Sequence, residues 1–312
     1  MRLKLDYPGF WGAVLLVLLV LGFQFGFGLG ISIVESIYAR LLNQPDPQMV
    51  KEPLVIGLIN LVGFGVAIGV GLDRNRLAFK RAFPAGQVSV LPVLATLLLV
   101  LGAIFLLSEV DNVFRTLFPP PASMAKAMKE MFQSHEKLLS RICLMVIIAP
   151  VTEELFFRGI ILRGLFGRFR PWTAITLTAV LFAALHANPW QFLSALSFGL
   201  AFGWFYLRTG SIWVCVLAHA TGNALNVICT LLPWDIPGFT VGPDSSIVRF
   251  QPWWLDLLGL GLFLAGIWTF RKATPRADEL LQPEPPPPLP PELPPEPGRQ
   301  ISTMEGNSFP PS

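Results

Sequence analysis

The chain contains about eight apolar runs of roughly 20 residues, and these runs constrain its fold more than any other feature. Only 14% of its 312 residues are charged, against about 25% in an ordinary soluble domain. A helix of 20 apolar residues spans the hydrocarbon core of a bilayer, which is about 30 Å thick. The pattern therefore predicts an all-α fold, a polytopic membrane helical bundle of about eight transmembrane helices. The predicted spans cover approximately 10–37, 54–72, 88–108, 139–158, 172–187, 190–207, 211–230 and 252–270.

Lysine and arginine cluster on one side of these predicted spans. The clusters precede the first span and follow the second, fourth, sixth and eighth, with Arg2, Arg74, Arg163, Arg208 and Arg271 as examples. Cytoplasmic loops carry such an excess of positive charge. We therefore expect an integral, multi-pass membrane protein, in the cell membrane if the source is bacterial, with both termini in the cytoplasm. The same bias accounts for the net charge of +3, so a nucleic-acid partner is not expected.

The composition divides the chain into four regions. Residues 1–138 hold three spans and a segment around Met128 that fits either an interfacial amphipathic helix or a solvated loop helix. Residues 139–230 hold the polar motifs described next, residues 231–272 hold the last span, and residues 273–312 are proline-rich. Such a tail predicts extended, disordered chain rather than a packed domain.

Two adjacent glutamates interrupt the fourth span. A carboxylate near the centre of a bilayer costs roughly 2.5–3.5 kcal/mol, so a chain that keeps Glu153 and Glu154 is expected to use them. Arg158 follows Glu154 by four residues, which places the two side chains on one helix face, where they can pair. Glu153 lies about 100° further around the helix and is free to face another element.

Two histidines occupy other apolar spans. His186 follows Phe182 by four residues, and His219 precedes Asn223 by four residues. Ionisable residues in a membrane usually face one another or a water-filled cavity. We therefore expect the glutamates, both imidazoles and the amide to converge.

Such a cluster supports two kinds of hydrolytic chemistry. In one, a carboxylate and a histidine activate water, while the other histidine and the amide donate to an oxyanion. In the other, Glu153, His186 and His219 bind a zinc ion with an open position for water. The chain has neither the HExxH motif of zincins nor a GxSxG nucleophile elbow.

Three motifs on successive spans give the chain a family resemblance. They are Glu-Glu-x-x-x-Arg from Glu153, Phe-x-x-x-His from Phe182 and His-x-x-x-Asn from His219. In this order they resemble the CAAX protease and bacteriocin-processing family, also called the Abi family, which includes the type II CAAX prenyl endopeptidases. The resemblance covers about 139–230 and implies a helical membrane bundle with intramembrane endopeptidase activity.

The resemblance also implies residue roles. It makes Glu153 the water-activating base, assisted by His186, and it makes Glu154 and Arg158 a positioning pair. His219 and Asn223 would stabilise the oxyanion. Both metal-dependent and metal-free mechanisms are described for the family, so a zinc cofactor stays open.

The expected partners are a membrane-associated peptide or protein substrate and the lipid bilayer. The sequence fixes neither the substrate, the oligomeric state nor the side from which the site opens. Two other functions also fit the pattern: a proton- or cation-coupled transporter and a catalytically silent scaffold.

One geometric difficulty stands, because perpendicular spans would leave Glu153 and His186 about 10 Å apart in depth. A tilted or recessed fifth span must close that gap.

Overall fold

A computed structural model of the chain describes residues 4–43, 49–83, 88–124, 126, 137–240 and 248–274. Within these ranges the protein is helical, without a strand. The eight long helices are α1 (Phe10–Leu42), α2 (Pro53–Arg74), α3 (Val90–Leu117), α4 (138–166), α5 (Pro171–Leu185), α6 (Pro189–Thr209), α7 (Ile212–Cys229) and α8 (Trp253–Ala273). Two single turns, Met49–Lys51 and Phe79–Ala82, lie between them. The segment around Met128 and the proline-rich tail lie outside the described residues.

Five of these helices are long and apolar enough to cross a membrane: α1, α2, α3, α7 and α8. The other three predicted spans are helical as well, with α5 a shorter apolar helix. The predicted all-α polytopic membrane fold is thereby confirmed. The cytoplasmic placement of both termini stays a prediction from the loop charges.

The outer surface of the bundle is apolar. Large side chains such as Trp11, Phe25, Leu29 and Trp268 are more than 60% exposed. A soluble protein rarely presents so much contiguous apolar surface to water. The bundle is therefore built to be surrounded by lipid.

The interior of the bundle is mostly apolar but also holds several charged side chains. Glu154 and Arg158 are fully buried, and Glu153 and His219 are each 8% exposed. Buried charges persist in a low dielectric only when they are paired or hydrogen-bonded. Their partners therefore decide what this region of the molecule can do.

Helix α4 carries the glutamate pair and departs from regular α geometry twice. An α-helical segment, Ala149–Phe156, lies between two π-helical segments, Cys143–Ile148 and Phe157–Leu162. Pro150 has no N–H, and its ring would clash with the carbonyl four residues earlier in a regular helix, so a widened turn before it relieves the clash. Glu153 and Glu154 themselves lie in the regular segment, which preserves the predicted angular separation between them.

Helices α5 and α6 form a tight antiparallel hairpin. A Cβ atom added at Gly199 would lie 2.9 Å from the Cα of Ala179, and one added at Gly203 would lie 2.8 Å from the side chain of Ile175. Two glycines four residues apart let helix backbones approach closely in a membrane. This close approach brings both helices against the face of α4 that carries the buried charges.

Candidate active site

The centre of the candidate site is a buried hydrogen-bonded network on Glu154. Its Oε1 accepts from Nη1 of Arg158 at 3.0 Å and lies 3.0 Å from Nδ1 of His219. Arg158 and Glu154 have no exposed side-chain surface. The predicted pairing of Glu154 with Arg158 is thus present. The sequence did not predict that His219 also binds Glu154.

Arg158 is held against the α5–α6 hairpin by two aromatic rings and a backbone carbonyl. Its guanidinium lies over the ring of Phe182 at 5.0 Å and over the ring of Phe202 at 5.3 Å. Its Nη2 donates to the carbonyl oxygen of Gly199 at 3.0 Å. Desolvated cation–π contacts and a carboxylate partner offset part of the cost of burying this charge. The guanidinium is therefore fixed in place and orients Glu154.

His219 is oriented as firmly as Arg158. Its ring stacks on Phe202 with centroids 5.4 Å apart and meets the edge of Phe182 at 5.9 Å. Because its Nδ1 faces the carboxylate of Glu154, the proton of a neutral imidazole belongs on that nitrogen. The lone pair of the neutral ring then lies on Nε2, and Nε2 donates a hydrogen bond only when the ring is protonated.

His186 ends α5 and shares an aromatic neighbour with His219. Its Nδ1 donates to the carbonyl oxygen of Phe182 at 2.8 Å, since a carbonyl can only accept. Its ring contacts Phe182 edge to face at 4.9 Å, and Phe182 in turn contacts Phe157 of α4 at 5.1 Å. His186 is therefore linked to α4 through the ring of Phe182. Its Nε2 carries the lone pair of the neutral ring.

The depth difficulty noted from the sequence is eased by the contacts of Phe182 near the end of α5. This helix has only 15 residues, so it rises about 22 Å. Phe182 of α5 contacts His186 as well as Arg158 of α4, so the end of α5 reaches the turn of α4 that follows the glutamates. The contact of Glu153 with His186 itself stays a prediction.

Glu153 differs from its neighbour in its partners. It is 8% exposed, and its buried Oε2 has no hydrogen-bond partner within the described ranges. Oε1 of Glu154 holds a cation and a histidine, whereas no described residue bonds to the side chain of Glu153. The Oε2 atom of Glu154 is buried without a partner as well, so the two carboxylates differ in what their Oε1 atoms bind.

Asn223 lies one turn beyond His219 on α7 and contacts α4. Its Nδ2 donates to the carbonyl oxygen of Met145 at 2.7 Å. Met145 lies in the π-helical segment, where widened turns free carbonyl groups from the regular ladder. A primary amide nitrogen carries two hydrogens, so one N–H of Asn223 remains available for another acceptor.

The proposed zinc ligands do not form a three-ligand set. No group of three His, Cys, Asp or Glu side chains in the described part of the chain is placed to hold a metal ion. Both histidines do use Nδ1 for a structural hydrogen bond, which is how metal-binding histidines are often oriented. The arrangement of Glu153, His186 and His219 nevertheless does not fit zinc as it stands, and the zinc hypothesis stays a prediction.

Sequence reasoning missed three contributors to this site. Phe202 and Gly199 hold Arg158, and the carbonyl of Met145 holds Asn223. The spacing Gly199-x-x-x-Gly203 is a known signal for close helix packing and points to the hairpin. The role of Met145 depends on a backbone carbonyl, for which the sequence carries no signal.

The fold and the candidate site define an all-α polytopic membrane protein in which glutamate, arginine and histidine side chains are buried inside the bundle. Residues 135–225 match the family model described as type II CAAX prenyl endopeptidase Rce1-like. The resemblance inferred from the three motifs is confirmed over this segment. It contains Glu153, Glu154, Arg158, His186, His219 and Asn223.

Two curated proteins of Bacillus subtilis are similar to the chain. "Putative membrane peptidase YdiL" is 34% identical over 87 residues, which cover 28% of this chain and 36% of the relative. YyaK is 30% identical over 151 residues, which cover 44% of this chain and 50% of the relative. The chain thus spans about half or less of the length of these relatives. No solved structure matches it significantly.

Proposed function

We propose that the chain is an intramembrane endopeptidase that hydrolyses a peptide bond of a membrane-associated protein or peptide. The observation that carries this proposal is the buried network of Glu154, Arg158 and His219, which lies inside the segment that matches the type II CAAX prenyl endopeptidase model. The name of the first relative, a putative membrane peptidase, supports the same chemistry.

Glu153 is the proposed general base. A water molecule beside its unbound Oε2 gives up a proton to the carboxylate as the oxygen attacks the carbonyl carbon of the substrate. The protonated Glu153 then delivers that proton to the nitrogen of the leaving amine. No described residue bonds to the side chain of Glu153, whereas Oε1 of Glu154 holds Arg158 and His219, and this difference supports the assignment of the base to Glu153.

His186 shares the activation of the water. With its Nδ1 proton committed to the carbonyl of Phe182, the lone pair on Nε2 can accept a hydrogen bond from the nucleophilic water. This second acceptor orients the water oxygen toward the substrate.

Asn223 and His219 stabilise the oxyanion. The N–H of Asn223 that does not bind Met145 is available as a donor. With Nδ1 facing Glu154, His219 presents Nε2 to the site, and Nε2 donates when the ring carries a proton on each nitrogen. Donors aimed at developing negative charge are usually the largest single contribution to catalysis of acyl transfer.

Glu154 and Arg158 act as a positioning pair. Neither is proposed to touch the substrate, since each is fully buried and committed to its partners. Zinc would supply a Lewis acid and a bound hydroxide if it were present. Because the ligand arrangement does not fit zinc, no step of this mechanism passes through a metal.

The proposed substrate class is a lipid-anchored or membrane-embedded peptide, either of the CAAX type or a bacteriocin-like peptide. The apolar outer surface lets such a substrate approach from the bilayer.

Cleavage by the purified full chain in proteoliposomes tests the proposal. The probes are a quenched fluorescent farnesylated peptide with a CAAX-type end and a set of unprenylated membrane-anchored peptides, with products identified by mass spectrometry. We expect cleavage that is lost in His186→Ala and kept in Thr221→Ala, a control whose hydroxyl bonds only its own helix. Equal cleavage by His186→Ala and the wild type would contradict the proposed mechanism.

A further inference from the structure

A second polar cluster lies at one end of the helix pair α3 and α8 and is built from residues outside the Glu154 network. The two helices pack through glycines. A Cβ atom added at Gly102 would lie 2.4 Å from the backbone nitrogen of Phe263, and one added at Gly266 would lie 2.7 Å from that of Leu99. Their backbones are therefore almost in contact, and their register is fixed.

This register places two carboxylates opposite each other. Gly259 of α8 faces Phe105 of α3, with only 2.7 Å between an added Cβ atom and the Cβ of Phe105. One turn further along each antiparallel helix come Glu109 on α3 and Asp256 on α8. The register thus puts the two carboxylates on adjoining turns of the packed helices. No lysine or arginine of the described residues forms an ion pair with either one.

The segment before α8 closes over this pair through Gln251. Its backbone N–H donates to Oε2 of Glu109 at 3.0 Å, and its Nε2 donates to the carbonyl oxygen of Phe105 at 2.8 Å and to Oγ of Ser108 at 3.1 Å. These contacts fix the amide orientation, because the reverse orientation would place two oxygens against each other. Gln251 is only 7% exposed.

The cluster has an excess of hydrogen-bond acceptors. Oε1 of Gln251 and Oδ1 of Asp256 are buried and have no hydrogen-bond partner among the described residues. Oε2 of Glu109 is already shared between Gln251 and Nδ2 of Asn112. A buried acceptor without a donor costs about 1–3 kcal/mol. Two carboxylates and an amide oxygen therefore lie at one end of the α3–α8 pair, where no described lysine or arginine pairs with either carboxylate.

We propose that Glu109, Asp256 and Gln251 form a binding site for a hard divalent cation, with calcium as the best match. Calcium takes six to eight oxygen ligands from carboxylates, amide or backbone carbonyls and water, in flexible geometry. The two carboxylates supply the charge, the buried Oε1 of Gln251 supplies a neutral ligand, and water completes the shell. The bound cation joins α3 to α8 and to the segment before it.

The site is separate from the peptidase proposal, since it shares no residue with the Glu154 network. It also differs in kind from a site of three histidine, cysteine or carboxylate ligands, of which the described residues contain none. A cation bound at this site raises the thermal stability of the protein and takes no part in peptide cleavage. The expected readout is therefore independent of any substrate.

Thermal unfolding of the full chain in nanodiscs, first stripped with chelator and then titrated with calcium chloride, tests the site. For a cation at about ten times its dissociation constant, the wild type should gain roughly 3–5 °C in Tm. Asp256→Asn should abolish this gain. In chelator, Asp256→Asn should unfold at the same temperature as the wild type or higher, because it removes repulsion between like charges.

Asp111→Asn is the matched control. Asp111 lies on the same helix as Glu109 but pairs with Arg115 at 2.6 Å, so this variant should keep the full calcium response. Terbium provides a measurement that does not depend on unfolding. Excitation of Trp253 and Trp254, which precede Asp256 by three and two residues, should sensitise terbium luminescence, and calcium should quench it by displacement. Absence of a calcium response in the wild type, or an unchanged response in Asp256→Asn, would overturn the proposal.

Discussion

Nδ1 of His219 lies 3.0 Å from Oε1 of Glu154, and this contact ties helix α7 to the helix that carries both glutamates. The same oxygen accepts from Arg158. Glu154 therefore holds a histidine and an arginine through Oε1, whereas no described residue bonds to the side chain of Glu153, although Oε2 is unpartnered in both. This difference between neighbouring residues leads to separate predictions for stability and for catalysis.

Glu154→Gln should destabilise the protein strongly. The substitution leaves the guanidinium of Arg158 buried and without a charged partner, and breaking a buried ion pair in this way costs about 3–5 kcal/mol. Thermal unfolding in detergent measures the loss. Glu153→Gln is the control and should unfold within a few degrees of the wild type, because Oε2 of Glu153 has no partner to lose. Equal Tm values for the two variants would contradict the positioning role of Glu154.

Gly199→Ala should reduce cleavage without touching a charged residue. The added methyl group would lie 2.9 Å from the Cα of Ala179, so α5 and α6 must separate. The carbonyl of Gly199 that binds Arg158 would move with them. Overpacking of this kind costs about 1–3 kcal/mol, and misplacement of a catalytic group by ~1 Å can cost about 100-fold in rate. Gly65→Ala is the control, since its added methyl group meets nothing within 4 Å, and it should keep wild-type kinetics.

Asn223→Ala should lower kcat by about 100- to 1,000-fold with little change in KM, as expected when one oxyanion donor is lost. Steady-state kinetics on the cleaved peptide measure both constants. Asn226→Ala is the matched control, because Asn226 donates to Gly222 of its own helix at 3.1 Å. A rise in KM at unchanged kcat would instead assign Asn223 to substrate binding.

Chelators should leave the cleavage rate unchanged. This prediction follows from the ligand arrangement, in which no group of three His, Cys, Asp or Glu side chains among the described residues is placed to hold a metal. The measurement compares cleavage before and after treatment with 1,10-phenanthroline. Activity that is lost on treatment and restored by zinc would contradict the metal-free mechanism. It would instead support zinc bound by Glu153, His186 and His219.

Much of the fold follows from the sequence, because hydropathy determines where helices cross a bilayer. The predicted span 54–72 corresponds to Pro53–Arg74, and 211–230 corresponds to Ile212–Cys229. Helix α1 extends to Leu42, five residues beyond the predicted end at residue 37. Apolar residues continue past the span there, and helix formation does not stop at the edge of a hydrophobic window.

The candidate site was predictable only within single helices. The pairing of Glu154 with Arg158 depends on four-residue spacing along one helix and was therefore accessible from sequence. The contact of His219 with Glu154 depends on how α7 rotates against α4. The π-helical segments of α4 alter that rotation. Pro150 signals the first of these segments, whereas no residue pattern signals the second.

The central claim is that Glu153 is the catalytic base and Glu154 is its structural neighbour. The most direct measurement is the cleavage rate of Glu153→Gln in proteoliposomes, with Tm recorded on the same preparation. We predict a rate at least about 1,000-fold below the wild type, consistent with the loss of a general base, at a nearly unchanged Tm. A folded Glu153→Gln variant that cleaves at the wild-type rate would contradict the account.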